Sequence, residues 1–237
     1  MKNRTEASYS SPIIIEQATE RVLVCLTGGR LVGLNPLNGK LHWEVPFKPF
    51  RMVISVATPV FYNDYLFVSS FYDGSMLVKV NPDKLEAKMI WRKKGKSENE
   101  NDTDALHCMI STPILLGDNI YGVDSYGQLR CLDLLTGDRV WEDLSAVPKA
   151  RWANIHMVQN SDKVWMFNER GELIISTLSV KGFNEISRAK LIEPTKGQLD
   201  LRGGVCWSHP AYANKHVYVR NDKEILCADL GAAKSKP

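Results

Sequence analysis

Apolar and polar positions alternate along this chain in short runs, cut at regular intervals by Pro, Gly, Asn and Asp. Alternation with a period of two is the pattern of a half-buried β-strand. The runs follow a repeating order. A first strand starts at a Ser-, Thr- or His-Pro step in Ser11-Pro12-Ile13-Ile14-Ile15, Thr58-Pro59-Val60-Phe61-Tyr62, Thr112-Pro113-Ile114-Leu115-Leu116 and His209-Pro210-Ala211-Tyr212. Proline costs little there, because its missing N–H need not break a ladder. A turn such as Asn63-Asp64 or Gly117-Asp118-Asn119 follows. Next comes a β-branched and aromatic run at residues 22–26, 66–68, 120–123, 164–167 and 217–219. A glycine-bearing turn then opens a third run at residues 29–34, 127–133 and 171–175. In two copies Asn38-Gly39 or Thr136-Gly137 leads into a fourth run, and Asn-Gly predicts a two-residue type I′ hairpin. Between those copies Asn81-Pro82-Asp83-Lys84 lacks glycine and predicts a wider connection. Almost nothing reads as helix.

The fourth run carries a tryptophan. Leu37-Asn38-Gly39-Lys40-Leu41-His42-Trp43-Glu44 returns as Leu135-Thr136-Gly137-Asp138-Arg139-Val140-Trp141-Glu142, with the looser Leu85-Glu86-Ala87-Lys88-Met89-Ile90-Trp91-Arg92 between them. Trp43, Trp91 and Trp141 stand 48 and 50 residues apart. One supersecondary unit is therefore used repeatedly, over residues 9–47, 52–95, 106–145, 151–192 and 203–230. The fourth unit has Ala189-Lys190-Leu191 in place of the tryptophan, and the fifth stops after Leu226-Cys227-Ala228-Asp229-Leu230 without a fourth strand. Residues 1–8 read as a polar stub and 231–237 as a tail, flanking one repeat domain at 9–230. Four antiparallel strands per unit and a period of about 50 residues predict an all-β fold of β-propeller blades, about five of them.

Composition narrows the function classes. The chain has 237 residues, 44% hydrophobic and 24% charged, with a net charge of +3. That balance argues against a nucleic-acid partner, and no apolar run is long enough for membrane insertion. Arg92-Lys93-Lys94-Gly95-Lys96 is followed by Glu98, Glu100, Asp102 and Asp104, so opposite charges cancel and the stretch reads as a solvated loop. Five widely spaced cysteines without a C-x-x-C read as free, buried thiols rather than a disulfide frame or metal site. The start, Met1-Lys2-Asn3-Arg4-Thr5-Glu6-Ala7-Ser8, shows no apolar export signal, which leaves the compartment cytoplasmic or unassigned. The glycosylation-like Asn3-Arg4-Thr5 and Asn101-Asp102-Thr103 then read as chance matches.

The strand–turn–Trp element resembles the docking repeat of PQQ-type (quinoprotein) propellers. Ser10-Ser11-Pro12, Ala57-Thr58-Pro59, Tyr121-Gly122, Leu129-Arg130-Cys131-Leu132-Asp133-Leu134-Leu135-Thr136-Gly137 and Trp207-Ser208-His209-Pro210 resemble the C-terminal portion of bacterial PQQ-like repeat proteins. Those proteins are described as polyvinyl-alcohol-dehydrogenase-like or outer-membrane-assembly-like. The resemblance implies a periplasmic or cell-envelope location for full-length relatives. It also implies a closed ring of seven or eight blades, so about five predict an incomplete ring: a truncated product, or a half needing a missing N-terminal partner. By the same resemblance Trp43, Trp91 and Trp141 dock each blade on its neighbour. Quinoprotein dehydrogenases hold their quinone between a tryptophan and a disulfide of adjacent cysteines, with calcium on Glu, Asn and Asp. This chain has no adjacent cysteines, and Asp102 and Asp104 lack the spacing of an oxygen cage. No catalytic residue and no cofactor are expected; PQQ and calcium enter only under the alternative of a dehydrogenase.

The remaining candidates precede the first strand of each unit, where propeller loops ring a channel face: Lys48, Arg51, His107, Arg151, Trp152, His156, Arg202, Trp207 and His209. Arg and Trp are favoured in recognition. The plainer alternative is that His209 takes the Ser/Thr place before proline and that Trp152 and Trp207 pack between blades. The expected function is a non-catalytic scaffold binding a protein or polymer through loop faces. The alternatives are part of a PQQ-dependent alcohol or polyol dehydrogenase, or a remnant without independent activity.

Overall fold

The structure, a computed structural model, describes residues 7–231. The polar stub, Ala7 and Ser8 apart, and the tail beyond Gly231 lie outside the described residues. Within that range the chain has no α-helix, only one short 3-10 turn at Leu201–Gly203. The strands form five antiparallel meanders. The first holds β1 (Ile13–Gln17), β2 (Glu20–Leu26), β3 (Arg30–Leu34) and β4 (Leu41–Pro46); the second β5 (Val60–Tyr62), β6 (Tyr65–Ser70), β7 (Gly74–Val80) and β8 (Ala87–Lys93). The third holds β9 (Ile114–Leu116), β10 (Asn119–Val123), β11 (Leu129–Asp133) and β12 (Arg139–Asp143). The fourth holds β13 (Ile155–Asn160), β14 (Lys163–Asn168), β15 (Glu172–Ser179) and β16 (Gly182–Lys190), and the three-stranded fifth β17 (Ala211–Ala213), β18 (His216–Arg220) and β19 (Ile225–Asp229). The chain forms two compact units. One runs to Ala153 and includes Ser179–Gly182; the other comprises Asn154–Leu178 and the residues from Phe183 on.

The left-handed hairpin turns are not where Asn-Gly predicted them. Positive φ at both central residues occurs between first and second strands, at Ala18-Thr19, Asn63-Asp64 and Asn214-Lys215. At Asn38-Gly39 and Thr136-Gly137 only the glycine is left-handed. An Asx side chain at the end of the third strand causes this. Asn35 Oδ1 accepts the Leu37 and Asn38 amides, and Asp133 Oδ1 accepts those of Leu135 and Thr136. The side chain mimics a backbone turn and widens the connection. Asn81 does the same for Asp83 and Lys84. The connection at 81–86 therefore matches that at 35–40 in length, and the expectation of a wider one is corrected.

Each of the first three sheets breaks register at one place. Gly33, Leu77 and Cys131 face Trp43, Trp91 and Trp141, and the register shifts immediately after each. The extra residue on the fourth strand is His42, Ile90 or Val140, a β-bulge that turns the tryptophan inward and its predecessor out. Ile90 and Val140 are accordingly exposed.

Cores form between neighbouring sheets. Ile15, Val24, Leu31 and Trp43 pack with Leu66, Met76 and Val78; Phe67 and Leu77 pack with Leu106, Ile120 and Leu132. In the second unit Phe167 and Leu173 pack with Cys206, Val217 and Val219. The cysteines are free, as expected, but only Cys108, Cys131 and Cys206 are buried; Cys227 faces solvent because β19 alternates outward there. Desolvation pushes the Cys108 thiol up to about 12.

The indole N–H of each repeat tryptophan is hydrogen-bonded. Trp91 donates to the Leu134 carbonyl at 2.9 Å and Trp141 to the Ser179 carbonyl at 2.8 Å. Trp43 donates to Gln17 Oε1 at 2.8 Å, and Gln17 Nε2 points at the Asn81, Lys84 and Glu86 carbonyls.

Candidate functional site

The loop before the first strand of the second sheet is anchored along its length. The Arg92 guanidinium donates to the Lys48 carbonyl at 2.9 Å, the Phe50 amide to Asp73 Oδ1 at 2.5 Å and the Ser70 hydroxyl to the Ile54 carbonyl at 2.9 Å. Burial raises the Asp73 carboxyl above its ordinary range, against the pull of the Phe50 amide, Arg92 and Lys94. Arg51 projects from this loop with its guanidinium 5.6 Å from the Phe50 ring and 5.9 Å from that of Tyr72.

Arg51 also approaches Glu98, at 3.7 Å, and Arg151 reaches the same carboxylate at 2.9 Å. Arg151 lies 4.8 Å from the Trp152 ring and 5.4 Å from that of Phe71. Trp152 has a left-handed backbone, φ 69°, stabilised by its amide donating to the Ser125 carbonyl at 2.8 Å. Its buried indole N–H has no partner among the described residues. A strained residue held this way marks a place where geometry outweighs local stability.

Glu98 belongs to the stretch read from sequence as solvated. The correction is that this stretch starts on β8 and then folds back, burying Gly95, Glu98 and Thr103. Its charges do not cancel among themselves; they pair with distant residues, Glu98 with Arg151 and Glu100 with Lys149. Beneath it lies a fully buried ion pair, Arg130 with Asp124 at 2.9 Å. Arg130 also donates to Thr103 Oγ1 and the Ala105 carbonyl, while Asp124 accepts the His107 amide at 2.6 Å. His107 is fully buried too. Its Nδ1 lies 2.9 Å from the Phe71 carbonyl and its Nε2 accepts the Gly95 amide at 3.2 Å. His107 therefore holds this loop down instead of facing a ligand.

In the second unit the organising group is Glu169, a buried carboxylate that the sequence reading did not single out. Both Arg202 terminal nitrogens bond it, one at 3.3 Å, and Trp207 Nε1 donates to it at 3.2 Å. A bidentate arginine on a carboxylate fixes orientation as well as charge. Arg202, like Trp152, is left-handed, φ 69°. His156 Nε2 lies 2.9 Å from the Trp207 carbonyl, and its ring is 3.8 Å from that of exposed His209. The structure thus gathers Arg202, Trp207, His156 and His209 together, and separately Arg51, Arg151 and Trp152; Lys48 contributes its backbone carbonyl. A cleft of about 420 Å³ lined by Trp165, Tyr212 and Asn214 shares no residue with either group.

Burial, then the neighbouring His209, lowers the His156 pKa from 6.5 to about 4. A histidine kept neutral in the fold adds no penalty above pH 6.5. As pH falls toward 4 the unfolded chain gains the proton and the folded one does not, so stability is lost across that window. At 1.36 kcal/mol per pKa unit the loss is on the order of 3 kcal/mol. Urea unfolding of the wild type is expected to weaken between pH 7 and 4 more steeply than that of His156→Gln; parallel pH profiles would refute this.

Among the described residues no three His, Cys, Asp or Glu side chains converge to hold a metal ion.

The family model described as outer membrane protein assembly factor BamB matches residues 3–143, more than half of the chain. No curated protein matches the sequence. Among solved structures, BamB from Moraxella catarrhalis superposes with TM-score 0.57 at 14% identity, over 94% of this chain and 56% of that one. The quinohemoprotein alcohol dehydrogenase of Comamonas testosteroni gives 0.54 at 11%, over 84% and 42%. The β-propeller domain of Cps50 (Swd1) from Myceliophteria thermophila gives 0.56 at 12%, over 95% and 69%. The chain thus spans about half the length of the first of these, and the fold is that of β-propeller blades.

Proposed function

This chain belongs to the family of outer membrane protein assembly factor BamB, and on that footing we propose that it is a non-catalytic β-propeller scaffold binding another protein through its loop faces. One observation carries the reading. The Arg151 and Arg202 guanidinium groups and the Trp207 indole are held in place by two buried carboxylates, Glu98 and Glu169. Fixed aromatic and guanidinium groups present contact area at low entropic cost, as binding surfaces require. The family's description implies a partner among outer-membrane proteins under assembly, and a place in the cell envelope. The interlocking tryptophans support their reading as structural docking residues.

The test uses an unfolded outer-membrane protein as the probe. Saturable binding by fluorescence anisotropy is expected, several-fold weaker for Arg151→Ala and Trp207→Ala and unchanged for Lys190→Ala on β16. No binding, or equal loss in all three variants, would overturn the proposal. In parallel, added quinone, calcium and a primary alcohol are expected to give no dye reduction. Turnover would instead establish a dehydrogenase.

A further inference from the structure

The anchored loop at residues 47–55 holds two apolar side chains out in solvent. Phe50 is 60% and Met52 65% exposed, while Phe47 and Val53 beside them are buried. Backbone hydrogen bonds at Lys48, Phe50 and Ile54 prevent the loop from folding these residues inward. The charges around them are segregated by depth. The two carboxylates, Asp73 and Glu98, are buried, whereas Lys48, Arg51 and Lys94 are exposed. Lys94 stands 4.0 Å over the Phe50 ring.

Arg51 has capacity left for a ligand. Its side chain is 55% exposed, and its one ion pair with a described residue is the long 3.7 Å contact to Glu98, which Arg151 already engages more closely. It makes no hydrogen bond to any described residue, and its guanidinium is flanked by the Phe50 and Tyr72 rings. A planar, pre-oriented guanidinium beside aromatic rings suits a carboxylate, which it can bind bidentately.

We propose that this loop is a docking surface for an acidic, aromatic-bearing extended segment of a partner protein. Arg51 takes a carboxylate, and Phe50 with Met52 packs the neighbouring apolar side chain. The proposal rests on the reading of the chain as a protein-binding scaffold and names the chemistry of one contact. Charge complementarity selects the occupant: exposed cations over buried anions call for an acidic ligand, and the central Phe–Met pair calls for an apolar group within it. A nucleic acid would use a strip of cations at phosphate spacing. A bilayer would require a broader amphipathic face than one loop offers.

The probe is a short fluorescein-labelled peptide of Glu and Asp containing two Phe residues. It is compared with a Gln/Asn analogue, a Ser-for-Phe analogue, phosphatidylglycerol vesicles and a single-stranded oligonucleotide. The acidic aromatic peptide is expected to bind in a salt-sensitive manner. Affinity should fall about tenfold for Arg51→Glu and for each analogue, the size of one lost anchor. Phe50→Ser should weaken binding similarly, whereas Lys190→Glu, the same charge change on β16, should not. Far-ultraviolet circular dichroism and urea midpoints matching wild type exclude misfolding. Absence of peptide binding, equal loss with Lys190→Glu, or stronger binding to vesicles or oligonucleotide would overturn the proposal. If the peptide fails while an unfolded outer-membrane protein still binds, this inference falls and the scaffold reading stands. If both fail, both fall.

Discussion

Replacing Arg130 with methionine is expected to destabilise the first unit by about 3–5 kcal/mol, the usual cost of removing one partner from a buried ion pair. Arg130 and Asp124 are both 0% exposed. Methionine fills much of the volume but leaves the Asp124 carboxylate without a counter-charge. It also leaves the Ala105 carbonyl without its guanidinium donor. The His107 amide and the Thr103 hydroxyl still donate to Asp124, so the carboxylate is not wholly stranded. The double variant Arg130→Met with Asp124→Asn is expected to recover part of the loss, since an amide needs no counter-charge. Urea unfolding of the four proteins closes the cycle. A cost below about 1 kcal/mol for Arg130→Met, or strictly additive variants, would mean that the pair contributes no more than a surface salt bridge.

Trp43→Ala should cost a similar amount, about 3–5 kcal/mol, by opening a cavity in the core between the first two sheets. Trp43 is buried while Trp91 and Trp141 are partly exposed, so the loss should be larger at Trp43 than at either of them. Trp43→Phe isolates the hydrogen bond. It keeps most of the ring and leaves Gln17 Oε1 without its donor, which costs about 1–3 kcal/mol. Gly33→Ala attacks the same contact from the other side, because a Cβ at Gly33 would collide with the Trp43 ring. Thermal or urea unfolding ranks these variants. A smaller loss for Trp43→Ala than for Trp141→Ala would contradict the view that burial of the ring dominates the contact.

The strand order was legible because each repeat carries its own evidence: alternating runs, glycine or Asx turns between them and, in four of the five repeats, a proline before the first strand. The Asn-Gly turn departs from the two-residue type because the deciding group is the Asn35 side chain, which lies before the dipeptide and captures the Leu37 and Asn38 amides. The loop groups were harder. Lys48, Arg51, Arg151, Trp152, Arg202 and Trp207 could be picked out by residue type and position before a strand. Glu98, which pairs with Arg51 and Arg151, and Glu169, which holds Arg202 and Trp207, could not. Glu98 sits in a charged run that looks self-compensating, and its partner Arg151 is 53 residues away. Glu169 meets Arg202 across 33 residues and Trp207 across 38. Pairings of that span follow from how loops return over neighbouring sheets, and no local pattern encodes them. His107 illustrates the converse: its residue type suggested a ligand, and tertiary packing used both ring nitrogens internally.

The bulged tryptophans have a consequence for how such a chain can change. Each indole, directly or through Gln17, ends on main-chain oxygen: Leu134, Ser179, or the trio Asn81, Lys84 and Glu86. A carbonyl is supplied by any residue, so the receiving hairpin can drift in sequence without loosening the joint. The demand falls on the donor, and at Trp43 also on Gln17 and on Gly33 beneath the ring. At the Leu134 and Ser179 seams the acceptor therefore asks nothing of the side chain that carries it.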